Sequence, residues 1–458
     1  MPTRTRLLLV YACLLLRPLV VTAGDLPQDT NAIESLTVEE ARKLVENFPG
    51  VPAKVEGKLI IGNCLPLNGV KTLDAAPAMA LSRYAVGPLL LDGLQTLDAD
   101  TAKALAEFKG ALLSLGGLTT LEVDAAKAIA EYKGSQSQLH LHGLTKIDVR
   151  TIKSLTNFKG QVLSLNGLTA LDAETARALA GLQCFQLYLS GLSKLDADTA
   201  VELAKFKGVC LLDGLTTLDA ATAKALAGPK TMYLFLNGLT VLDADAAKAL
   251  ADFKGQLHLN GLTTLETDTV KAIAEFKASH LFLNGLSTLD AGNAKVLAEF
   301  KGSDLYLRGL TAFDAEAVKA LMRSKAWSPS AAHLTTLDVD TVEALAANQK
   351  WDGALHGLTT LTIDIAKVIA PCTRWDGRLP GITAFEAPDS FAVAEAIATR
   401  KRPLSLPNLK RISPKTLTTL IQKRDVEIPL IETLELIPEP DGSSTEDFVI
   451  PDDFKQAR

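Results

Sequence analysis

The sequence predicts an α/β solenoid of about 15 strand–helix units, because one short pattern recurs along most of its 458 residues. A glycine before an aliphatic residue returns about every 24 residues, with alternating leucines before it and alanine-rich sequence after it. A unit of this length cannot bury its apolar face alone, so stacked neighbours must supply the core. The marker positions are Gly69, Gly93, Gly117, Gly143, Gly167, Gly191, Gly214, Gly238, Gly261, Gly285 and Gly309, continued by His333, Gly357 and Gly381.

Each unit is predicted to contain one short strand and one short helix. In a typical unit Leu163 and Leu165 flank Ser164, which predicts a strand with both leucines on its buried side. Asp172 then stands at the N-cap position of a helix, and alanine-rich sequence with high helix propensity follows it. We therefore expect a ladder of short parallel strands on one face and the helices on the other.

The N-terminus has the features of a secretory signal peptide. Two arginines precede a short apolar run, and Val21 and Ala23 occupy the third-last and last positions before the expected cut, so residues 1–23 are predicted to be removed. A lipoprotein cleavage site at Cys13 is the rival interpretation. The predicted location is therefore outside the cytoplasm: periplasmic, cell-surface or extracellular.

Composition and charge exclude several classes of partner. Removal of residues 1–23 takes three of the 47 basic residues and none of the 53 acidic ones, which moves the net charge from −6 to −9. An acidic exported chain is not expected to bind nucleic acid or an anionic membrane. After the apolar run near the N-terminus, no segment is apolar enough to be a transmembrane helix.

The pattern also predicts the domain boundaries. Residues 24–64 are predicted to be an N-terminal capping region with the first helix, in which residues 49–64 could form an extra strand or hairpin that caps the first edge. The solenoid itself is predicted to span residues 65–437. Residues 438–458 are polar and predict a flexible C-terminal tail.

Strand, turn and helix at this spacing resemble the leucine-rich repeat family, whose members form horseshoe-shaped solenoids. The closest variant is the cysteine-containing class, and Leu165, Leu168, Leu171 and Asp172 keep its spacing. Leucine replaces the class's cysteine in nearly every unit here, and leucine cannot satisfy buried backbone groups. A Thr or Ser two residues after each glycine, as at Thr169, is the predicted substitute. The resemblance implies a fold with a concave strand face and convex helices, and it leaves the function open.

An acid stands five residues after almost every glycine, as at Asp98 and Asp172. A cation-binding edge is one interpretation, since oxygen ligands suit calcium. The favoured interpretation is helix capping, which also places negative charge at the positive end of each helix.

The residue between the two strand leucines points to the concave face, and this column predicts the binding surface. Six consecutive units carry bulky side chains there, and a polar row with several amides lies beside them. Aromatic residues dominate interaction hot spots, although ring stacking that only stabilises the sheet is the alternative. The predicted binding residues are Tyr188, Leu211, Phe235, His258, Phe282, Tyr306, Asn237, Asn260, Asn284 and Arg308.

Trp327, Trp351 and Trp375 recur at the repeat spacing and are interpreted as core residues rather than as a binding row.

His140 and His142 share a face, but with no third ligand evident the sequence predicts no metal and no cofactor. Cys184 and Cys210 lie in adjacent units, and the sequence does not decide whether they form a disulfide.

These observations predict an exported, non-enzymatic binding scaffold that recognises a protein or an extracellular polymer through its concave face. No catalytic residue is predicted, because none of the motifs of the common hydrolases or nucleotide-binding sites is present. The alternatives are a structural or self-associating component of the cell envelope and a carbohydrate-active enzyme. The identity of the ligand and the oligomeric state are not predicted.

Overall fold

The computed structural model describes residues 29–439 except 57, 135, 229–230, 311–314, 328–330 and 333. The predicted signal peptide, His333 and nearly all of the predicted C-terminal tail therefore lie outside the described residues.

A ladder of short strands begins near the N-terminus and continues in sequence order as one 12-stranded sheet. The first pair, β1 and β2, is antiparallel, and every later pair in this sheet is parallel. The strands are β1 (Val51–Val55), β2 (Lys58–Pro66), β3 (Leu89–Leu90), β4 (Leu112–Ser114), β5 (Gln138–His140), β6 (Val162–Ser164), β7 (Gln186–Tyr188), β8 (Val209–Leu211), β9 (Tyr233–Phe235), β10 (Gln256–His258), β11 (His280–Phe282) and β12 (Asp304–Tyr306).

One helix follows most strands, and each helix contacts the helix of the next unit. The helices are α1 (Val38–Asn47), α2 (Ala75–Leu81), α3 (Ala99–Ala106), α4 (Val123–Ile129), α5 (Val149–Ser154), α6 (Ala173–Leu179), α7 (Ala197–Leu203), α8 (Ala220–Leu226), α9 (Ala244–Leu250), α10 (Thr267–Ala274), α11 (Ala291–Leu297), α12 (Ala315–Leu321), α13 (Val339–Ala347), α14 (Ile363–Ile369), α15 (Ser390–Ala398) and α16 (Pro414–Ile421). The predicted α/β solenoid is confirmed: strands line the concave face and helices the convex face of the horseshoe. None of the helices described is long and apolar enough to cross a membrane.

The core lies between the strand ladder and the helices and is built from equivalent positions of successive units. Leu163, Leu165 and Leu168 are fully buried or nearly so, and Ala176 and Leu179 of α6 pack against them. Equivalent leucines also pair in register across the ladder, as Leu163 does with Leu187. The one apolar stripe predicted for each unit is therefore covered by the next unit rather than by a separate layer.

The column of acids caps the helices. The Asp98 carboxylate accepts a hydrogen bond from the backbone N–H of Thr101 at 2.8 Å, and this bond lowers the pKa of Asp98 although burial opposes the shift. Asp148, Asp172, Asp196, Asp219, Asp243, Asp290 and Asp338 make the same bond. Asp74, Glu122 and Glu266 stand at the N-cap without a side-chain bond.

The Thr and Ser residues after the glycines have the predicted role at Thr216 and Thr359, whose hydroxyls donate to a carbonyl of the preceding unit. Every described member of that row is exposed, so the row does not reach the buried backbone groups of the core. Buried threonines inside the helices also donate to carbonyls of the preceding unit. The Thr101 hydroxyl donates to the Leu73 carbonyl at 3.1 Å. Thr151, Thr222 and Thr269 donate in the same way.

Beyond β12 the helices continue but the strand ladder changes. The described residues there form two small parallel sheets, one of three strands (Ala384–Phe385, Arg411–Ile412 and Glu435–Leu436) and one of two (Leu404–Ser405 and Val426–Glu427). Within the described residues, the continuous ladder is therefore shorter than the full predicted array.

The tryptophans of this region belong to the core, as predicted. Trp327, Trp351 and Trp375 are all buried, and the buried Arg400 guanidinium lies 4.5 Å from the centre of the Trp375 ring. Arg400 also donates to three backbone carbonyls, which compensates for its burial.

The cysteines described here are free. Cys184 and Cys210 are not joined, and burial raises the pKa of both thiols, to about 12 for Cys184.

Candidate binding surface on the concave face

Eleven side chains in strict register form the central column of the concave face. Parallel pairing aligns each with its neighbour on the next strand, so successive side chains lie about 4.8 Å apart. In order the column contains Pro66, Leu90, Ser114, His140, Ser164, Tyr188, Leu211, Phe235, His258, Phe282 and Tyr306. The predicted column is thus present as one continuous row.

The β1–β2 hairpin divides this column into a covered and an open part. The five residues from Pro66 to Ser164 are buried, whereas the six from Tyr188 to Tyr306 are half-buried. Beneath the hairpin, Ala53 packs against a small apolar cluster of Cys64, Leu90 and Leu112. The hairpin therefore lies over the start of the concave face rather than only capping the first edge.

The base of the hairpin explains how it turns onto the concave face. The pairing between β1 and β2 is irregular between Val51 and Ala53, and such a bulge bends the strands. Gly50 adopts a φ of +82°, a backbone conformation that residues other than glycine rarely adopt. A Cβ at this position would also stand 2.5 Å from the Asn63 Cα. The Tyr84 hydroxyl donates to the Asn63 carbonyl at 2.7 Å and fixes the base.

The tip of the hairpin carries Glu56, whose carboxylate contacts residues of β5 and β6. Four strand spacings, about 19 Å, separate β2 from β6. The eight residues from Lys58 to Leu65 are separated by seven steps, which span about 23 Å when extended. The Glu56 carboxylate accepts hydrogen bonds from the Ser164 hydroxyl and from Asn166 Nδ2, the latter at 2.7 Å.

Two histidine rings complete the surroundings of Glu56. His140 Nδ1 lies 3.2 Å and His142 Nδ1 3.5 Å from Glu56 Oε1. Burial raises the pKa of Glu56, but the adjacent His140 ring, the hydrogen bond from Ser164 and the nearby histidine charges outweigh it and lower the pKa to about 2. The expectation that no third ligand lies near His140 and His142 is therefore wrong. Sequence spacing could not show this neighbour, because the hairpin lies outside the repeat.

In the open part, four rings stack face to face across successive strands. The ring centres of Phe235 and His258 are 4.2 Å apart, those of His258 and Phe282 4.1 Å, and those of Phe282 and Tyr306 4.5 Å. The Arg308 guanidinium lies 5.4 Å from the centre of the Tyr306 ring at the end of the stack. Ring faces are therefore largely occupied by neighbouring rings, while the outer edges face the concave space.

The first two residues of the open part lie outside this stack. Tyr188 is half-buried and its hydroxyl donates to Gln186 Oε1 at 3.2 Å. Burial, Glu56 and Asp213 raise the pKa of Tyr188, so the hydroxyl keeps its proton. Leu211 pairs in register with Tyr188 on one side and Phe235 on the other.

Burial in the stack changes the charge of His258. Its ring is enclosed by Phe235 and Phe282, and this burial lowers the pKa, with the Asp213 carboxylate opposing and His280 adding to the shift. His258 is therefore neutral at pH 7 and behaves as a further aromatic ring in the stack.

The predicted amide row has a structural role. Asn237 Oδ1 accepts the backbone N–H of Asn260 at 3.0 Å, and Asn260 Oδ1 accepts that of Asn284 at 2.9 Å. Asn284 Oδ1 in turn accepts the backbone N–H of Arg308 at 2.9 Å. Asp213 Oδ1 accepts the backbone N–H of Asn237 in the same way. The same bond is made by Asn31, Asn68, Asp92 and Asn166. This amide ladder supplies the backbone bonds that the sequence assigned to the Thr and Ser row.

Comparisons with known proteins add structural similarity only. No protein-family model and no curated protein matches the chain. An internalin (inlF) of Listeria monocytogenes has 15% identity and a TM-score of 0.36, over 69% of this chain and 93% of that one. The TLR13–ssRNA13 complex has 16% identity and a TM-score of 0.44, over 82% of this chain and 61% of that one. The Toll–Spatzle complex of Drosophila has 14% identity and a TM-score of 0.34, over 76% of this chain and 48% of that one.

Proposed function

We propose that this chain is an exported, non-enzymatic binding scaffold that recognises a partner through the open part of the concave column. The observation that carries the proposal is the contrast in burial: the hairpin covers the column as far as Ser164 and leaves the bulky residues from Tyr188 onward accessible. A row of half-buried aromatic side chains on a rigid sheet is costly to leave in water and typical of interaction hot spots. Arg308, exposed at the end of the row, adds a charged contact.

A protein partner fits the geometry better than an extracellular polymer does. Sugars bind aromatic side chains across the ring face, and the faces of His258 and Phe282 are covered by rings 4.1–4.5 Å away. The free ring edges carry the positive part of the aromatic quadrupole and suit carbonyl, carboxylate and aromatic groups of a polypeptide. We therefore propose a polypeptide segment as the ligand.

Support for export comes from the sequence of the first 23 residues. We propose that cleavage after Ala23 releases a mature chain that begins at Gly24 and works in the periplasm, at the cell surface or outside the cell. Mass spectrometry of the N-terminal peptide of exported protein tests this directly. Kinship with the cysteine-containing class of repeats is also a proposal, since it rests on the Leu165-to-Asp172 spacing.

Affinity capture with matched variants tests the binding surface. The triple variant Phe235→Ser/Phe282→Ser/Tyr306→Ser removes three rings of the stack. The control Phe185→Ser/Met232→Ser/Val241→Ser removes three exposed apolar side chains outside the concave column. Because hot-spot aromatics contribute more than about 2 kcal/mol each, we expect the first variant to lose its specific partner and the control to keep it.

Circular dichroism and thermal unfolding must show that both variants are folded. Identical partners for the wild type and the folded concave variant would contradict the proposal. Capture of a polysaccharide that the concave variant loses would keep the surface but replace the protein ligand, and turnover of an envelope polysaccharide would contradict the non-enzymatic assignment.

A further inference from the structure

Three metal-ligating side chains meet where the hairpin tip touches the concave face. One donor atom each from Glu56, His140 and His142 lies within 4.8 Å of the other two. The side chains are 15%, 8% and 25% exposed respectively, so the cluster is largely withdrawn from water. It is independent of the open aromatic row and of the function proposed for that row.

The histidine nitrogens at this point lack partners within the described protein. Neither ring nitrogen of His140 makes a hydrogen bond, and His142 Nδ1 makes none either, although all three atoms are buried. The short distances to Glu56 are not aligned as hydrogen bonds. Buried polar atoms are rarely left unpaired, since each unmade hydrogen bond destabilises the folded state. Something other than these protein groups is therefore expected to satisfy the nitrogens.

The distances fit a tetrahedral metal site. Ligand bonds of about 2.0–2.2 Å place the donor atoms of a tetrahedral zinc site about 3.3–3.6 Å apart. Glu56 Oε1 lies 3.2 Å from His140 Nδ1 and 3.5 Å from His142 Nδ1. Two imidazoles and one carboxylate favour zinc and other divalent transition metals, whereas calcium and magnesium prefer an all-oxygen set.

The amide ladder is interrupted at the units that build this cluster. Position 116 is glycine and position 142 is histidine, where neighbouring units have Asp92 and Asn166. A Cβ on Gly116 would overlap His142 Nε2, so a side chain at position 116 would displace that ring. At positions 116 and 142 the chain therefore lacks two side chains that would accept a backbone N–H, and it has the His142 imidazole instead.

The backbone of the hairpin tip is also strained. Glu56 adopts a φ of +50°, a left-handed conformation that glycine, asparagine and aspartate adopt more readily. Such strain is concentrated at functional positions. Hydrogen bonds from Ser164 and Asn166 orient the carboxylate toward the two rings.

We propose that Glu56, His140 and His142 bind one divalent transition-metal ion, zinc in particular, which fastens the hairpin across the covered part of the concave face. Three protein ligands leave a fourth position for water or for a donor atom of a bound molecule. The ion joins a segment outside the repeat to two adjacent repeat units.

Zinc titration of the purified full chain, stripped of metal by a chelator, tests the proposal. Calorimetry and elemental analysis after gel filtration should give one zinc per chain. The variants Glu56→Gln, His140→Ser and His142→Asn each remove one ligand, and Ser and Asn are the residues of neighbouring units at those positions. Each should weaken zinc binding by more than about 100-fold, beyond the 10- to 100-fold loss typical of an outer contact.

Gly116→Asn tests the space that the site needs. The new side chain would restore the ladder residue but occupy the position of the His142 ring, so zinc binding should fall although no ligand is removed. His356→Asn is the matched control, because His356 Nε2 lies 2.6 Å from Asp376 Oδ2 in a histidine–carboxylate pair elsewhere, and it should bind zinc as the wild type does.

Hydrogen exchange of residues 51–66 tests the fastening. Zinc should slow exchange of this segment in the wild type and not in Glu56→Gln, whose fold can be checked by circular dichroism without metal. Absence of micromolar zinc binding by the wild type, or equal binding by the three ligand variants, would overturn the metal site. Zinc binding that leaves the exchange of residues 51–66 unchanged would overturn the fastening of the hairpin.

Discussion

At the scale of single residues, the asparagines beside the aromatic stack belong to the scaffold. Asn237, Asn260 and Asn284 lie beside the aromatic stack, yet their side-chain oxygens bind backbone N–H groups of the following units. The spacing of the repeat places these asparagines in one column of the sequence. Only the register of the folded strands shows which backbone N–H group lies next to each side-chain oxygen. We therefore assign them to the scaffold and leave recognition to the rings.

Asn260→Ala tests the amide ladder. It removes the acceptor of the Asn284 N–H, which is partly buried, and leaving this amide unpaired should lower the free energy of unfolding by about 1 kcal/mol. Asn260→Asp keeps an acceptor, as Asp213 does for Asn237, and should cost much less. Urea unfolding of both variants measures the difference, and equal losses for alanine and aspartate would contradict the ladder.

The buried imidazole of the stack predicts a pH dependence. The folded state lowers the pKa of His258, so its contribution to stability is present above the ordinary value of about 6.5 and is lost as pH falls toward the lowered value. His258→Phe keeps a ring between Phe235 and Phe282 without a proton to bind. The stability of the wild type relative to this variant should fall between pH 7.5 and pH 5.5 in urea unfolding. A difference independent of pH would show that His258 is not buried as described.

At the scale of elements, the hairpin is the feature that the sequence predicted least completely. The length of residues 49–64 indicated an extra strand or hairpin, but no periodicity relates that segment to the repeat. Its direction depends on the bulge near Ala53, the turn at Gly50 and the contacts of Glu56 with distant units. Long-range contacts of this kind leave no signal in residue spacing, so the third member of the histidine cluster could not be predicted.

The reactivity of Cys64 reports whether the hairpin lies on the concave face. Cys64 is fully buried beside Leu90 and Leu112, and burial raises the pKa of its thiol, so alkylation should be slow. Glu56→Gln weakens the tip contacts, and losing about 1.4 kcal/mol would speed alkylation about tenfold. Mass spectrometry of the Cys64 peptide measures the rate. Buried Cys184 in the same digest is the control, and an unchanged Cys64 rate would contradict the contact.

At the scale of the whole molecule, the repeat predicted the architecture because every unit repeats the same burial pattern. Leu165 and its equivalents are core, Asp172 and most of its equivalents are caps, and Trp375 belongs to the core. The repeat could not predict how the concave face is divided, since that division depends on one non-repeating hairpin. The central claim is that recognition occurs on the part left open, from Tyr188 to Tyr306.

Site-specific photo-cross-linking tests that claim most directly. A photoreactive residue at Gln256, which lies on the concave face of β10, should cross-link to the proposed partner in the native environment of the chain. The same residue at the exposed Lys224 of α8, on the convex face, should give no such product. Cross-linking from position 256 alone is the predicted result, and a partner that cross-links from position 224 but not from position 256 would contradict the account.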